Sequence, residues 1–206
     1  MAKGLFITFE GGEGSGKTSI ITRLVPMLEK LGQNVLTSRE PGGVKIAEDI
    51  RNIILNPENT QMCYETEALL FAASRMQHLR EKVIPALESG KLVICDRYLD
   101  SSLVYQGYSR GLGFEKVMQV NAFALEYMPE KTFFIDVKPS VGLERLKGRE
   151  KCDRLDKEKL EFHDKIYQGY KELARLYPDR IVTINGERDI EEIVLDIYNQ
   201  ILSLLK

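Results

Sequence analysis

Gly11-Gly12-Glu13-Gly14-Ser15-Gly16-Lys17-Thr18 sets two glycines, with four residues between them, ahead of a lysine and a hydroxyl residue. It follows Leu5-Phe6-Ile7-Thr8-Phe9, a short apolar run of β-formers, and precedes Ile20, Ile21, Leu24, Leu28 and Leu31 at helical spacing. A strand feeding a glycine-rich turn into a helix start aims several backbone N–H groups, and the positive end of the helix dipole, at one point. Glycines let the main chain curl round an anion with no Cβ in the way. Lys17 then reaches the β- and γ-phosphates of a nucleoside triphosphate, and the Thr18 hydroxyl holds Mg²⁺. A chance match in a chain of this length is about one in a hundred. The alternative is a glycine-rich turn that binds nothing, and the flanking strand and helix patterns argue against it.

Hydrophobic residues make up 43% and charged residues 29% of 206, ordinary for one globular domain with a substantial core. The 29 basic and 31 acidic residues leave a net charge of −2, so bulk charge points to neither nucleic acid nor a membrane surface. Cys63, Cys95 and Cys152 lack metal-ligand spacing, and an odd count fits a reducing cytoplasm. The chain enters its first strand almost at once, leaving no room for a signal peptide, and no apolar run reaches the length of a membrane span.

Strand and helix patterns alternate to the end. After a stop at Gly32, Asn34–Ser38 reads as a second strand, ending in the loop Arg39-Glu40-Pro41-Gly42-Gly43. Ile46, Ile50, Ile53 and Ile54 mark a helix that Asn56-Pro57 terminates, and a long helix is expected over about Glu65–Glu88, kinked or restarted at Pro85. Leu92-Val93-Ile94-Cys95-Asp96 is an unbroken apolar run closing on a carboxylate, as a strand buried on both faces should look. A helix over Phe114–Met128, a strand over Lys131–Asp136, charged helical sequence over 139–177 broken near Gly148–Asp153, a strand over Asp179–Ile184 and a terminal helix complete the chain. His78 and His163 read as helix-surface or partly packed positions. Five strands separated by helices imply a parallel sheet with right-handed crossovers and helices on both faces. Ligands on such sheets bind beyond the strand C-termini.

The loops there carry more than the first motif. Arg39-Glu40-Pro41-Gly42-Gly43, Phe71-Ala72-Ala73-Ser74-Arg75, Asp96-Arg97-Tyr98, Ser101-Ser102, Tyr105-Gln106-Gly107 and Asp153-Arg154-Leu155-Asp156 resemble the thymidylate kinase family in order, spacing and identity over essentially the whole chain. The resemblance implies a P-loop nucleoside monophosphate kinase-like three-layer α/β/α fold with a five-stranded parallel sheet. It implies a single domain with a lid at about 147–156, Mg²⁺, a homodimer, and transfer of the γ-phosphoryl group of ATP to dTMP, giving dTDP.

Phosphoryl transfer between two nucleotides crowds negative charge together, so cations must position it and neutralise the transition state. The guanidinium fork suits phosphate oxygens, which makes Arg39, Arg51 and Arg97 candidates for the acceptor phosphate. Arg39 and Arg97 are the firmer pair by resemblance; Arg51, on a helix, reads equally as a solvated surface residue. Asp96 stands where P-loop proteins end a buried strand on a Mg²⁺-binding carboxylate. Glu13 adds negative charge to an anion site, and in the family this carboxylate accepts a hydrogen bond from the acceptor's 3′-hydroxyl. Phe71 and Arg75, four apart, share a helix face. By resemblance Phe71 stacks on thymine and Arg75 donates to its O4, with Ser102 and Gln106 as further base contacts and Tyr105 crowding a ribose 2′-hydroxyl. An amino group in place of O4 would leave two donors facing, at a cost of about 1–3 kcal/mol. Family members draw a catalytic arginine from the P-loop or from the lid. Position 14 is glycine, so the lid must supply it: Arg149, with Lys151 and Arg154 as rivals. Arg145 and Asn185-Gly186 border the adenine.

Two other readings compete: a kinase of another nucleoside or nucleoside monophosphate, and a P-loop switch or binding protein. No Asn-Lys-x-Asp guanine-reading motif supports the switch. Several arginines round one cleft exceed what a neutral nucleoside needs.

Overall fold

The computed structural model describes residues 4–147, 154–155 and 158–205. Its centre is a parallel sheet of β1 (Phe6–Glu10), β2 (Val35–Arg39), β3 (Leu92–Asp96), β4 (Lys131–Asp136) and β5 (Ile181–Asn185), ordered β2-β3-β1-β4-β5. Helices α1 (Lys17–Lys30), α2 (Lys45–Leu55), α3 (Tyr64–His78), α4 (Ile84–Glu88), α5 (Leu99–Ser102), α6 (Phe114–Val120), α7 (Pro139–Leu146), α8 (Leu160–Leu176) and α9 (Ile190–Leu204) flank it. Among the described residues no helix is long and apolar enough to cross a membrane.

Two cores form because alternate strand residues face opposite ways. Ile7, Phe9, Ile94, Phe133 and Ile135 pack against the apolar stripes of α1 and α9, Ile20, Leu24, Ile197 and Ile201 among them. Phe6, Val93, Cys95 and Phe134 face the other layer, with Leu103, Val104, Ile166 and Tyr170. That second layer also contains buried polar groups. The Thr8 and Thr132 hydroxyls meet at 2.8 Å, Thr132 reaches Asp100 at 3.0 Å, and Arg180 binds Asp100 through both Nη atoms at 2.6 and 2.7 Å. A buried carboxylate needs such partners, because desolvation alone would make its charge too costly.

Element boundaries differ from the sequence expectation in informative places. β1, β2 and β5 each run one residue further than expected, to Glu10, Arg39 and Asn185, while β3 and β4 close on Asp96 and Asp136 as expected. The expected helix over 65–88 is divided: α3 gives way to a π-helical turn at Leu79–Val83, and α4 restarts with Pro85 in its first turn, where a missing N–H costs little. The expected helix over 114–128 ends at Val120 and continues as 3₁₀ turns at Ala122–Tyr127. Asn121 sits at the break, its amide bonded to the Val117 carbonyl and its side-chain oxygen to Arg75. His78 and His163 are buried, not surface residues. His78 reaches Glu40 through Nδ1 at 2.9 Å and Ser38 through Nε2 at 2.7 Å.

Candidate functional site

The loop between β1 and α1 forms an anion cradle. Gly11, Gly14 and Gly16 adopt φ of 146°, 68° and 95°, values that side chains resist. Gly14 is further constrained: a Cβ there would come within 2.0 Å of the Gly142 carbonyl oxygen in α7. Lys17 is buried, and its Nζ is held by the Gly11 and Gly12 carbonyls at 3.1 and 3.0 Å and by Ser15 Oγ at 3.0 Å. Burial lowers its pKa to about 8, with Arg97 adding to the effect and Asp96 and Glu13 opposing it. The ammonium therefore remains charged at neutral pH. Thr18 Oγ1 donates to Asp96 Oδ2 at 3.0 Å, so a hydroxyl and a strand-end carboxylate share one spot beside the cradle.

Across Glu13 lies a second cavity, lined by Glu13, Arg51, Phe71, Arg97, Tyr105 and Gln106 among others. Arg97 has φ of 70°, a left-handed conformation rare outside glycine, and strain of this kind collects at functional sites. Its backbone N–H donates to the Phe9 carbonyl at 2.9 Å, so pairing with β1 holds the unfavourable turn in place. Arg97 Nη2 donates to Glu13 Oε1 at 2.5 Å, and the Tyr105 hydroxyl donates to the same oxygen at 3.0 Å. Burial works against the Glu13 charge, but Arg97 and then Lys17 more than offset it and bring its pKa to about 2. Behind Arg97, Glu10 is fully buried, and its carboxyl is raised to about 7 by burial and then by Asp100, against the pull of Arg97, Ser101 and Tyr170. Gln106 donates through Nε2 to Glu67 at 3.0 Å, while its buried Oε1 has no partner among the described residues.

A triphosphate cradle and a partly polar cavity thus meet at a shared wall, since Glu13 and Arg97 line both. Comparison with known proteins agrees over the whole chain. The family model described as Thymidylate kinase matches residues 9–197. A thymidylate kinase of Geobacillus sp. (strain WCH70) is 51% identical over 195 residues, 93% of this chain and 92% of that protein. One from Shouchella clausii is 49% identical, covering 100% and 98%. The chain belongs to the thymidylate kinase family. The crystal structure of thymidylate kinase from Ehrlichia chaffeensis superposes with a TM-score of 0.79 at 31% identity, covering 97% of this chain and 99% of that one.

The positions expected to matter in a thymidylate kinase fall into three groups. Glu13, Arg51, Phe71, Arg97, Tyr105 and Gln106 line the second cavity, and Gly14, Ser15, Gly16, Lys17, Thr18, Asp96 and Arg145 line the cradle. Arg145 bonds the Gly14 carbonyl at 3.4 Å and the Gly186 carbonyl at 3.2 Å. Ser102 and Arg75 sit one layer behind Phe71 and Gln106. Arg75 is 2% exposed and donates to Glu40 (2.7 Å), Asn121 (2.6 Å), the Tyr98 carbonyl (3.1 Å) and Ser102 (3.0 Å), which engages four of its five N–H groups.

The third group lines neither cavity or lies outside the described residues. Arg39 is half exposed, paired with Glu48 at 2.9 Å, and lines a neighbouring cleft, whereas Arg51 borders the cavity. Arg39, the last residue of the edge strand β2, bonds Glu48 of α2, and both Arg39 and Arg51 donate to the Pro41 carbonyl. Asn185 is exposed, its side chain accepting from the Glu187 N–H at 2.9 Å. Arg149 and Lys151 lie outside the described residues, while Arg154 is bound to Glu67 at 2.5 Å and to the Ile54 carbonyl at 2.8 Å.

Residues that sequence reasoning missed include Glu10, Glu40, Glu67, Ser101 and Tyr170. For Glu10 a signal existed: it directly extends the apolar run Phe6–Phe9, where a carboxylate is out of place unless partnered. Tyr170 offered none, because an aromatic on an apolar helix stripe reads as core.

Proposed function

We propose that this protein transfers the γ-phosphoryl group of ATP to dTMP, giving dTDP and ADP. The observation that carries the reading is the wall of Glu13 and Arg97 shared by the P-loop cradle and the acceptor cavity, which suits two nucleotides arranged phosphate to phosphate. Lys17 and the N-terminus of α1 hold the transferring phosphates, and Arg97, with Arg51, takes the acceptor phosphate. Glu13, ionised and already an acceptor for Tyr105, receives the 3′-hydroxyl. Gln106 Oε1, without a partner among the described residues, is an acceptor for the N3–H of thymine, a proton that cytosine lacks, and Phe71 gives the ring an apolar face.

The pairing of Thr18 Oγ1 with Asp96 suits Mg²⁺, which takes few protein oxygens and leaves its other positions to water and phosphate. Bound there, it would offset charge on the triphosphate oxygens. Backbone crowding at Gly14 leaves no room for a P-loop arginine and supports a cation from the lid, for which Arg149 is our choice.

A homodimer is part of this reading. Leu69 and Phe123 are 55% and 76% exposed beside Ala72, Ala73, Met76 and Val120, an apolar face on α3 and the end of α6 that a second copy would cover. Sedimentation that gives only the 23.5 kDa monomer at micromolar concentration would remove it. The free thiols of Cys63 and Cys95 fit the cytoplasm as its compartment.

An ADP-release assay across dTMP, dUMP, dCMP, dGMP and thymidine tests the activity. dTMP is expected to accelerate ATP turnover most, with dUMP nearer to it than dCMP, because burying one methyl contributes only about 0.8 kcal/mol. If no acceptor accelerates turnover the kinase reading fails, and if thymidine alone does so the acceptor is misassigned.

A further inference from the structure

Behind Arg97 lies Glu10, a carboxylate that lines neither cavity. Arg97 Nη1 carries two N–H bonds and faces three oxygens: the Gly11 carbonyl at 2.9 Å, Tyr170 Oη at 3.2 Å and Ser101 Oγ at 3.3 Å. With Nη2 also bonded to Glu13, Nε–H and one Nη2 N–H have no partner among the described residues. A hydroxyl accepts from Arg97 only if its own proton points elsewhere. Both protons do: Ser101 Oγ donates to Glu10 Oε2 at 2.6 Å, and Tyr170 Oη donates to the same oxygen at 2.8 Å.

The other Glu10 oxygen is equally committed, accepting the backbone N–H of Tyr98 at 2.7 Å and of Ser101 at 3.3 Å. Four donors therefore converge on one carboxylate with no exposed surface. Ser101 Oγ and Tyr170 Oη lie only 2.9 Å apart. With their protons on Glu10 they turn lone pairs side by side, an arrangement that a cationic donor next to both relieves. That cation is Arg97. The other charges near Glu10 are already matched: Asp100 is tied to Arg180, and Lys17 to the cradle.

We propose that Glu10, acting through the Ser101 and Tyr170 hydroxyls, is the positioning residue that fixes the Arg97 guanidinium with its remaining N–H groups free for the acceptor phosphate. The proposal rests on the reading of Arg97 as the acceptor-phosphate clamp. Carboxylate chemistry is specific here, since an amide at position 10 would turn an N–H towards either the two hydroxyls or the two backbone donors.

The experiment is calorimetric titration of the full chain with dTMP and, separately, with thymidine, which lacks the phosphate. Tyr170→Phe keeps the ring that stacks on Phe134 at 5.1 Å and removes only the hydroxyl. It is expected to lower the dTMP-to-thymidine affinity ratio about tenfold, the worth of one hydrogen bond to a charged group, with thymidine affinity within about twofold of wild type. Ser101→Ala and Glu10→Gln should move the ratio in the same direction, and Arg97→Ala should abolish it. If Arg97→Ala lowers the ratio while Tyr170→Phe and Ser101→Ala leave it unchanged, the positioning role is overturned and the clamp stands. An Arg97→Ala variant that keeps the ratio overturns the clamp, and the positioning role with it. Equal loss of both ligands in Tyr170→Phe and Ser101→Ala would mark general damage to the cavity and would also overturn the proposal.

Discussion

Lys17→Ala is expected to lower kcat by about 10²–10³-fold while leaving the KM for dTMP nearly unchanged. The ammonium is held in place by three oxygens of its own loop before any ligand arrives, so little reorganisation remains at the moment of reaction. Charge on the transferring phosphoryl group is greatest in the transition state, and a preset cation in a buried site is worth most there. Alanine removes it without opening a gap in the acceptor cavity, whose lining does not include Lys17, and Arg97 still holds Glu13 ionised. Steady-state kinetics with each substrate varied in turn provides the check. A rise in the KM for ATP with kcat intact would mean that Lys17 binds ground state and transition state equally, contrary to this account.

Arg75→Ala is expected to destabilise the protein by about 3–5 kcal/mol, the range for stranding one partner of a buried ion pair. Glu40 and Arg75 are both almost wholly buried, and the substitution leaves the carboxylate with His78 as its remaining side-chain partner. It also strips partners from Asn121, Ser102 and the Tyr98 carbonyl. In a chain of this size the thermal midpoint should fall by roughly 10 °C. Chemical and thermal denaturation measure this directly, and a loss below about 1 kcal/mol would show that the pair is not needed. The same variant still reports on base reading, because the ratio of kcat/KM for dTMP and dCMP cancels the folded fraction. That ratio should narrow if the remaining Nη1 N–H of Arg75 reaches the thymine O4.

Arg75 also shows where sequence reasoning stops. Its spacing from Phe71 puts both on one face of α3, but only Phe71 lines the cavity, and nothing in that spacing tells a ligand contact from a buried ion pair. The deciding partner, Glu40, comes from the loop after β2, 35 residues away. Arg39 and Arg51 make a similar case. Both suit phosphate, but in the fold Arg39 is taken up by Glu48 while α2 brings Arg51 to the cavity. His78 reads from sequence as a helix-surface or partly packed residue, because one helical turn does not reveal a carboxylate approaching from another element.

Local pattern by itself determined the P-loop, the alternation of buried strands with amphipathic helices, and hence a parallel sheet with its ligands at the carboxyl edge. Glycine conformations, apolar periodicity and helix starts are set by residues within a few positions of one another. Tertiary structure alone decided how the buried charges are matched. Glu13 meets Arg97 across 84 positions and Glu10 meets Tyr170 across 160. A charge taken out of water must find its counter-charge or donors wherever the fold brings them, and no short-range pattern records which element that will be.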